Sequence, residues 1–195
     1  MSEQIKDGTG TGSLAKVDDH GRLWVSANVV DHKQHHALYH QNLYIIHFDT
    51  ILPDSNETEL AFFKNLDSTK DFEIYNVEVS ADANIEANWY LNDEYTSGGT
   101  LITPINSNRG SGKTLSTSTA TVYSGGSAGD MVVDSTDRTK FHRSFVGAYS
   151  PHNEEFDGGL VLTAGSSASM TAIGVVGNEV TVTAIMAYHT AGTKL

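Results

Sequence analysis

A pair of apolar runs in the first half of the chain, Leu60–Leu66 and Phe72–Val79, flanks the polar segment Asp67–Asp71. Runs of this length, rich in β-branched and aromatic residues on both sides of a polar turn, predict the two strands of a β-hairpin. In the second run the apolar alternation slips by one position between Ile74 and Tyr75. Such a slip predicts a β-bulge, or a strand that is buried on both faces.

The rest of the chain continues in short β-rich runs divided by Gly, Ser, Asn and Asp. Trp89 lies in one of them as the expected core anchor, and Pro151–Gly159 is expected to be an acidic loop. In the last run, alternate residues from Val180 to Tyr188 are expected to share one face. We expect strands at Asn42–Leu52, Ile85–Leu91, Thr114–Tyr123, Phe145–Ser150, Gly158–Gly165, Ala168–Val176 and Val180–Tyr188.

Length and composition predict one domain, or one domain with an arm. A chain of 195 residues with 38% hydrophobic content can bury roughly 70% of its unfolded surface as a single domain. Eighteen glycines and only three prolines suit an all-β fold with many turns. About eight to ten short strands predict an antiparallel β-sandwich, with a jelly roll as the expected topology and a single large barrel as the alternative. This domain is predicted to span residues 31–195.

Residues 1–30 are predicted to form an extended N-terminal arm. Glycines at positions 8, 10, 12 and 21 make ordering of an isolated arm entropically costly. The same segment nevertheless carries spaced apolar residues, which a disordered tail rarely needs. An arm that docks on another protein therefore explains the pattern better than a flexible leader.

The segment Asp31–Gln41 is the one predicted helix, because Asp31 can cap its first turn and the segment contains neither Gly nor Pro. Its histidines at positions 32, 36 and 40 would share one helix face, and His35 and His47 lie close by in sequence. Imidazoles placed in this way can bind a divalent metal. The absence of an HExxH pattern and of an evident fourth ligand favours solvated or interface histidines instead, so no metal site is assigned.

The charge balance opposes several classes of partner. The chain has 24 Asp and Glu against 12 Lys and Arg, a formal net charge of −12, which disfavours nucleic acid and anionic membranes. No cysteine is present, so the fold has no disulfide framework. The N-terminus has no apolar core of signal-peptide length and no run is long enough to span a membrane, so we expect neither secretion nor membrane insertion.

Three segments resemble ligand-binding motifs without matching them. Arg109–Thr114 ends like a phosphate loop, but Ser107 replaces the required glycine and no strand-to-helix unit follows. The carboxylates of Asp130–Asp137 and Glu154–Asp157 lack EF-hand spacing, and solvated loops are the simpler interpretation. No nucleophile elbow or acid–base pair can be identified, so we assign no catalytic residue, cofactor or small-molecule substrate and expect no enzyme activity.

Several segments resemble structural proteins of tailed bacteriophages. Residues Ile5–Leu23 match the leader pattern (I/V)-x-D-G-x-G-x-G-x-x-A-x-V-(D/N)…R-L of that group. Residues Leu60–Asn65 match one of its strands, and Ser97–Gly112 match its G-T-x-x-T-P-x-N-x-N-x-G-S loop. Leu160–Ser167 and Val180–Tyr188 fit the same outline, so the resemblance covers most of the chain.

The resemblance implies a non-enzymatic β-sandwich on the outer capsid surface of a virion, made in the bacterial cytoplasm. Its arm would dock on the major capsid protein or another virion protein, and the chain is expected to form a homo-oligomer, with a trimer favoured. Alternatives are a tail, neck, fibre or adaptor protein, and a carbohydrate-binding receptor module that uses Trp89, Tyr90 and Tyr95. The predicted capsid-binding residues of the arm are Ile5, Lys6, Asp7, Gly8, Gly10, Gly12, Leu14, Val17, Leu23 and Trp24.

Overall fold

A computed structural model describes residues 4–6, 14–17, 23–24, 42–108, 110, 112–116, 120–126 and 131–190. All regular secondary structure within these ranges is β-strand, which confirms the predicted all-β class. None of the described residues forms a helix of the length and apolarity needed to cross a membrane. The predicted helix at Asp31–Gln41 lies outside the described residues.

The chain divides into two compact units, Met1–His32 and Lys33–Leu195. In the first unit three short strands pair in antiparallel fashion in the order β1-β2-β3. They are β1 (Gln4–Lys6), β2 (Leu14–Val17) and β3 (Leu23–Trp24).

The second unit contains thirteen described strands, and their bounds follow the alternation of apolar residues. They are β4 (Leu43–Ile51), β5 (Thr58–Asn65), β6 (Lys70–Ala81), β7 (Ile85–Leu91), β8 (Glu94–Ser97), β9 (Thr100–Leu101), β10 (Ile105–Asn106), β11 (Ala120–Ser124), β12 (Val132–Asp134), β13 (Thr139–Val146), β14 (His152–Leu162), β15 (Ser167–Ile173) and β16 (Glu179–Thr190).

Two large antiparallel sheets pack against each other to form the predicted β-sandwich. The five-stranded sheet has the order β10-β4-β16-β6-β14, and the six-stranded sheet has the order β13-β7-β15-β5-β11-β9. Strands β4 to β7 and β13 to β16 alternate between the sheets in the two interlocked Greek keys of a jelly roll. The remaining two strands, β8 and β12, form a separate two-stranded ribbon.

The predicted hairpin at Leu60–Val79 is wrong, because β5 and β6 belong to different sheets. The turn between them is an arch that crosses the sandwich. Asn65, buried at the end of β5, donates its side-chain amide to the carbonyl oxygens of Lys70 and Leu162, each at 2.8 Å. These bonds hold the end of β5, in the six-stranded sheet, against β6 and β14 of the five-stranded sheet. The apolar pattern of the sequence alone does not distinguish such an arch from a hairpin.

The predicted bulge in β6 is confirmed. Ile185 and Met186 are consecutive in β16 and pair with Asn76 and Ile74 respectively, which leaves Tyr75 as the extra residue. Tyr75 is buried but lies outside the main core, in a small separate cluster.

The main core lies between the sheets and contains the side chains that the sequence places on the inner faces. Trp89 is fully buried, as predicted. Its ring centroid lies 6.4 Å from that of Phe63 and 5.4 Å from that of Phe156. The alternation in the last strand is also confirmed, because its predicted inner residues are all buried: Val180, Val182, Ala184, Met186 and Tyr188.

Strand bounds agree with the sequence best in the centre of the sheets and worst at their edges. The predicted strand Ile85–Leu91 is confirmed residue for residue. Residues 152–159, predicted as an acidic loop, instead belong to β14, an edge strand of the five-stranded sheet. An edge strand tolerates charged side chains that would be excluded from a central one, which is why its composition resembles that of a loop.

The segment Thr100–Asn106, termed the clasp, closes one side of the sandwich. Its first two residues pair with β11 in the six-stranded sheet, and its last two pair with β4 in the five-stranded sheet. Between them the Ile102 amide donates to the Val122 carbonyl oxygen at 2.8 Å, and Pro104 is buried. One short segment therefore supplies an edge strand to both sheets.

Candidate functional site

The predicted capsid-binding residues fall in the N-terminal unit. Strand pairing brings Ile5 opposite Ala15 and Val17 opposite Leu23, so parts of the leader that are distant in sequence become neighbours along the backbone. Asp7, Gly8, Gly10 and Gly12 lie outside the described residues. Those that the described strands contain are Ile5, Lys6, Leu14, Val17, Leu23 and Trp24.

The loop that resembles the phage pattern contains the clasp, which borders an apolar groove of about 400 Å³. Within the described chain, β10 covers only Tyr44 and Ile45 of strand β4, and Ile105 of β10 is 69% exposed. The described groove lining contains no Asp, Glu, Lys or Arg and includes Ile45, Ile102 and Ile105. The clasp thus leaves an apolar groove open beside strand β4.

The predicted alternative of a histidine metal site gains no support from the described residues. His47 is exposed, and its Nδ1 lies 2.9 Å from Thr183 Oγ1. Within the ranges described, no three His, Cys, Asp or Glu side chains are arranged to hold a metal ion. The other histidines of that cluster, at positions 32, 35, 36 and 40, are outside those ranges.

Glu154, which the sequence suggested to be a solvated loop residue, is instead buried between two histidines. His142 Nε2 lies 2.8 Å from Glu154 Oε2, and His152 Nε2 lies 2.9 Å from Glu154 Oε1. His142 belongs to β13 and the other two to β14, so the three side chains bridge the edges of the two sheets. Inward-pointing polar groups at a sheet edge oppose edge-to-edge association.

Two of the three aromatic residues suggested for carbohydrate binding are buried. Trp89 is in the core and Tyr90 is buried beneath Arg138, whose guanidinium carbon is 3.7 Å from the ring centroid. Tyr95 stacks on Tyr123, with ring centroids 4.1 Å apart. Of the three residues on which that alternative was based, Trp89 and Tyr90 are buried and Tyr95 is half-buried.

A partly buried polar network lies on the outer face of the six-stranded sheet. Its acidic part, termed the carboxylate cluster, consists of Glu57, Glu59 and Asp93. Glu57 precedes β5, Glu59 lies within β5, and Asp93 immediately precedes the ribbon strand β8. Arg138, between β12 and β13, donates to Glu57 Oε2 at 3.2 Å and to Glu59 Oε1 at 2.8 Å.

Glu57 is held in its ionised form by four donors. Its Oε1 accepts hydrogen bonds from Tyr90 and Thr171, each at 2.6 Å, and from Asn88 at 3.3 Å. Burial alone would raise the pKa of Glu57, but these hydroxyl donors and the charge of Arg138 hold that pKa below its ordinary value.

The pKa values of the other two carboxyl groups, Glu59 and Asp93, are raised instead. Burial raises the pKa of Glu59 to about 7, and the neighbouring Asp93 and Glu57 add to the effect against the attraction of Arg138. Burial also raises the pKa of Asp93, which the Ser169 hydroxyl and Arg138 offset only in part. Glu59 Oε2 and Asp93 Oδ1 are buried and have no hydrogen-bond partner among the described residues. One guanidinium thus pairs with two carboxyl groups, the exposed Glu57 and the partly buried Glu59, and acts on the third, the buried Asp93, through its charge alone.

Sequence reasoning did not identify this network, because its members lie as far apart as Glu57 and Arg138. The sequence shows only that outward positions of β7 and β15 are small or polar, notably Asn88, Ser169 and Thr171. The structure buries these three side chains, and buried polar groups need hydrogen-bond partners, which Glu57 and Asp93 supply here.

No protein-family model matches this chain, and no curated protein is similar to it.

Proposed function

We propose that this chain is a non-enzymatic protein of a tailed-phage virion that decorates and stabilises the outer surface of the capsid. Its N-terminal residues dock on the major capsid protein, and the jelly roll remains on the outside. The observation that carries the proposal is the division of the chain: the leader that resembles phage proteins lies in the unit Met1–His32, separate from the jelly roll.

The chemistry of the two units suits this division of roles. A segment with strand-forming pieces and glycines can approach a neighbouring subunit closely and add main-chain hydrogen bonds to it. The net charge of −12 opposes contact with packaged DNA and favours a position outside the shell. In a trimer, three weak docking contacts act together and raise the overall affinity without any new interaction.

Capsid binding by variants of the leader tests the proposal. Replacing both Ile5 and Leu14 with Ser should abolish binding to purified capsids while circular dichroism of the jelly roll stays unchanged. The matched control replaces the exposed Ile105 of the clasp with Ser and should retain binding. Unchanged binding by the leader variant would contradict the docking role.

The location of the chain in the virion tests the rest of the proposal. In cryo-electron microscopy of purified virions, density for the jelly roll should lie on the outer head. Density at the neck, tail or fibre would instead support the structural alternatives. Absence of the chain from the particle would overturn the virion assignment altogether.

A further inference from the structure

The β8–β12 ribbon covers an aromatic face of the six-stranded sheet. Tyr95 of β8 stacks on Tyr123 and lies 5.9 Å, between ring centroids, from Phe62. Phe62 and Tyr123 are paired across β5 and β11, and Phe62 is fully buried although it does not belong to the main core. Lifting the ribbon would therefore expose aromatic surface and leave the main core intact.

The polar network holds one end of this ribbon, where the chain enters β8 and where it leaves β12. Asp93 leads directly into β8, and it is tied to β15 through the Ser169 and Ser167 hydroxyls, which donate to its side chain and main chain respectively. Arg138 follows β12 by four residues and is fixed by Glu57 and Glu59. The same polar network thus attaches both strands at this end of the ribbon. At the opposite end β8 continues through Gly98 and Gly99 into β9, which pairs with β11, so the ribbon lifts from the end that the network holds.

The charges of this network do not balance when every acid is ionised. Three carboxylates then face the single guanidinium of Arg138. Lys140 adds a second positive charge nearby, with its Nζ 5.3 Å from the Tyr90 ring centroid. Glu94 of the ribbon is paired with Lys64 of β5 and adds no unpaired charge. The titratable and charged groups that face the cluster are Glu57, Glu59, Asp93, Tyr90, Arg138 and Lys140.

We propose that the β8–β12 ribbon is a proton-controlled flap, which stays on the sheet while the carboxylate cluster retains a proton and loosens when that proton leaves. Once Glu59 and Asp93 are both ionised, two buried oxygens without donors, Glu59 Oε2 and Asp93 Oδ1, carry negative charge. Opening the ribbon admits water to both of them. The closed state therefore binds a proton more tightly than the open state does.

The pH range in which the ribbon opens follows from the difference in the Glu59 pKa between the closed and the open state. Burial raises the pKa of Glu59 to about 7 in the closed ribbon, against an ordinary value of 4.5 when the side chain is exposed to water. A group whose pKa is raised in the closed state favours closure at low pH and loses that effect as the pH rises towards the closed-state pKa. The opening equilibrium should therefore increase at least tenfold between pH 5 and pH 8. The pKa of Glu57 is lowered, so Glu57 gains or loses its proton only below this pH range.

Hydrogen exchange of the full-length protein tests the flap. After correction for the intrinsic exchange rate at each pH, the amides of Tyr95 and Val133 should lose protection at least tenfold from pH 5 to pH 8. Amides in the centre of β16 provide the internal reference and should keep theirs. Glu59→Gln should remove the pH dependence in the ribbon, whereas the control Glu94→Gln, in the ribbon itself, should retain it.

Two results would overturn the proposal. One is ribbon protection in the wild-type chain that does not vary with pH. The other is a Glu59→Gln variant that folds and keeps the wild-type pH dependence. A carbon-13 titration of the Glu59 carboxyl group in the wild-type chain gives a second test that needs no variant: a pKa near 4.5 would also exclude the flap.

Discussion

Asn65 and Leu162 join the two sheets of the sandwich directly, since the buried Asn65 amide donates to the Leu162 carbonyl oxygen at 2.8 Å. The same amide also binds the Lys70 carbonyl oxygen. Replacing Asn65 with Ala would leave both carbonyl groups without this donor, so unfolding free energy should fall by about 2–3 kcal/mol. Urea denaturation measures the change.

The matched control for Asn65 is Asn56→Ala. Asn56 is exposed, and its side chain bonds only to Asp54 in the same turn among the contacts described. Its replacement should change stability by less than about 0.5 kcal/mol. Equal stability of the two variants would contradict the role given to the arch.

Two glycines with the same backbone conformation should respond differently to alanine. Gly126 (φ 88°) and Gly177 (φ 80°) both lie in the left-handed region, where a Cβ costs about 1 kcal/mol. A Cβ on Gly126 would lie 1.9 Å from Thr50 Oγ1, whereas one on Gly177 would meet nothing within 4 Å. Gly126→Ala should therefore lower the unfolding free energy by about 2 kcal/mol more than Gly177→Ala. Thermal and urea unfolding of the pair would show the difference; similar losses would refute it.

The histidine pair at the sheet edges should depend on Glu154. Glu154→Ala removes the shared acceptor of His142 and His152 and should lower the unfolding free energy by about 1–2 kcal/mol. Its neighbour Glu155 is exposed, so Glu155→Ala should be nearly neutral. Chemical denaturation of both variants at pH 7 measures the contrast, and a neutral Glu154→Ala would show that the edge is held by its apolar contacts alone.

Global stability should fall as the pH rises from 5 to 8. The pKa of Glu59 is raised to about 7 in the folded chain, so the proton that it retains stabilises the fold fully below the unfolded value of 4.5 and progressively less up to 7. In the wild type the Glu59 contribution to this loss should be about 1–3 kcal/mol, and Glu59→Gln should not show it. Urea unfolding at both pH values is the measurement. A variant with the same pH dependence as the wild type would rule out Glu59 as the titrating group.

The central strands could be predicted from the sequence because burial imposes a strict alternation on them. Ile85–Leu91 was predicted residue for residue, and the bulge at Tyr75 was visible as a slip in the pattern. The partner of each strand could not be predicted in the same way. The arch at Asn65 and a hairpin share the same local sequence, and they differ only in hydrogen bonds to residues nearly a hundred positions away.

The edge strands and the polar network were harder to predict from the sequence, for a different physical reason. Strand β14 contains Glu154 and Glu155, one facing inward and one outward, so hydrophobicity alone does not reveal its alternation. The carboxylate cluster depends on the pairing of β5, β7 and β15, which places Glu57 beside Thr171 and Tyr90. Such a site becomes visible only once the strand order is known.

The position of β16 also determines when the molecule can fold during synthesis. This strand, Glu179–Thr190, is the last of the jelly roll in sequence, yet it lies between β4 and β6 in the middle of the five-stranded sheet. Until it is made, β4 and β6 lack their shared neighbour and expose unpaired backbone to other nascent chains. Folding must therefore wait for contacts that span most of the polypeptide, and topologies dominated by such contacts fold slowly. Strand β16 thus sets the earliest point at which the five-stranded sheet can close.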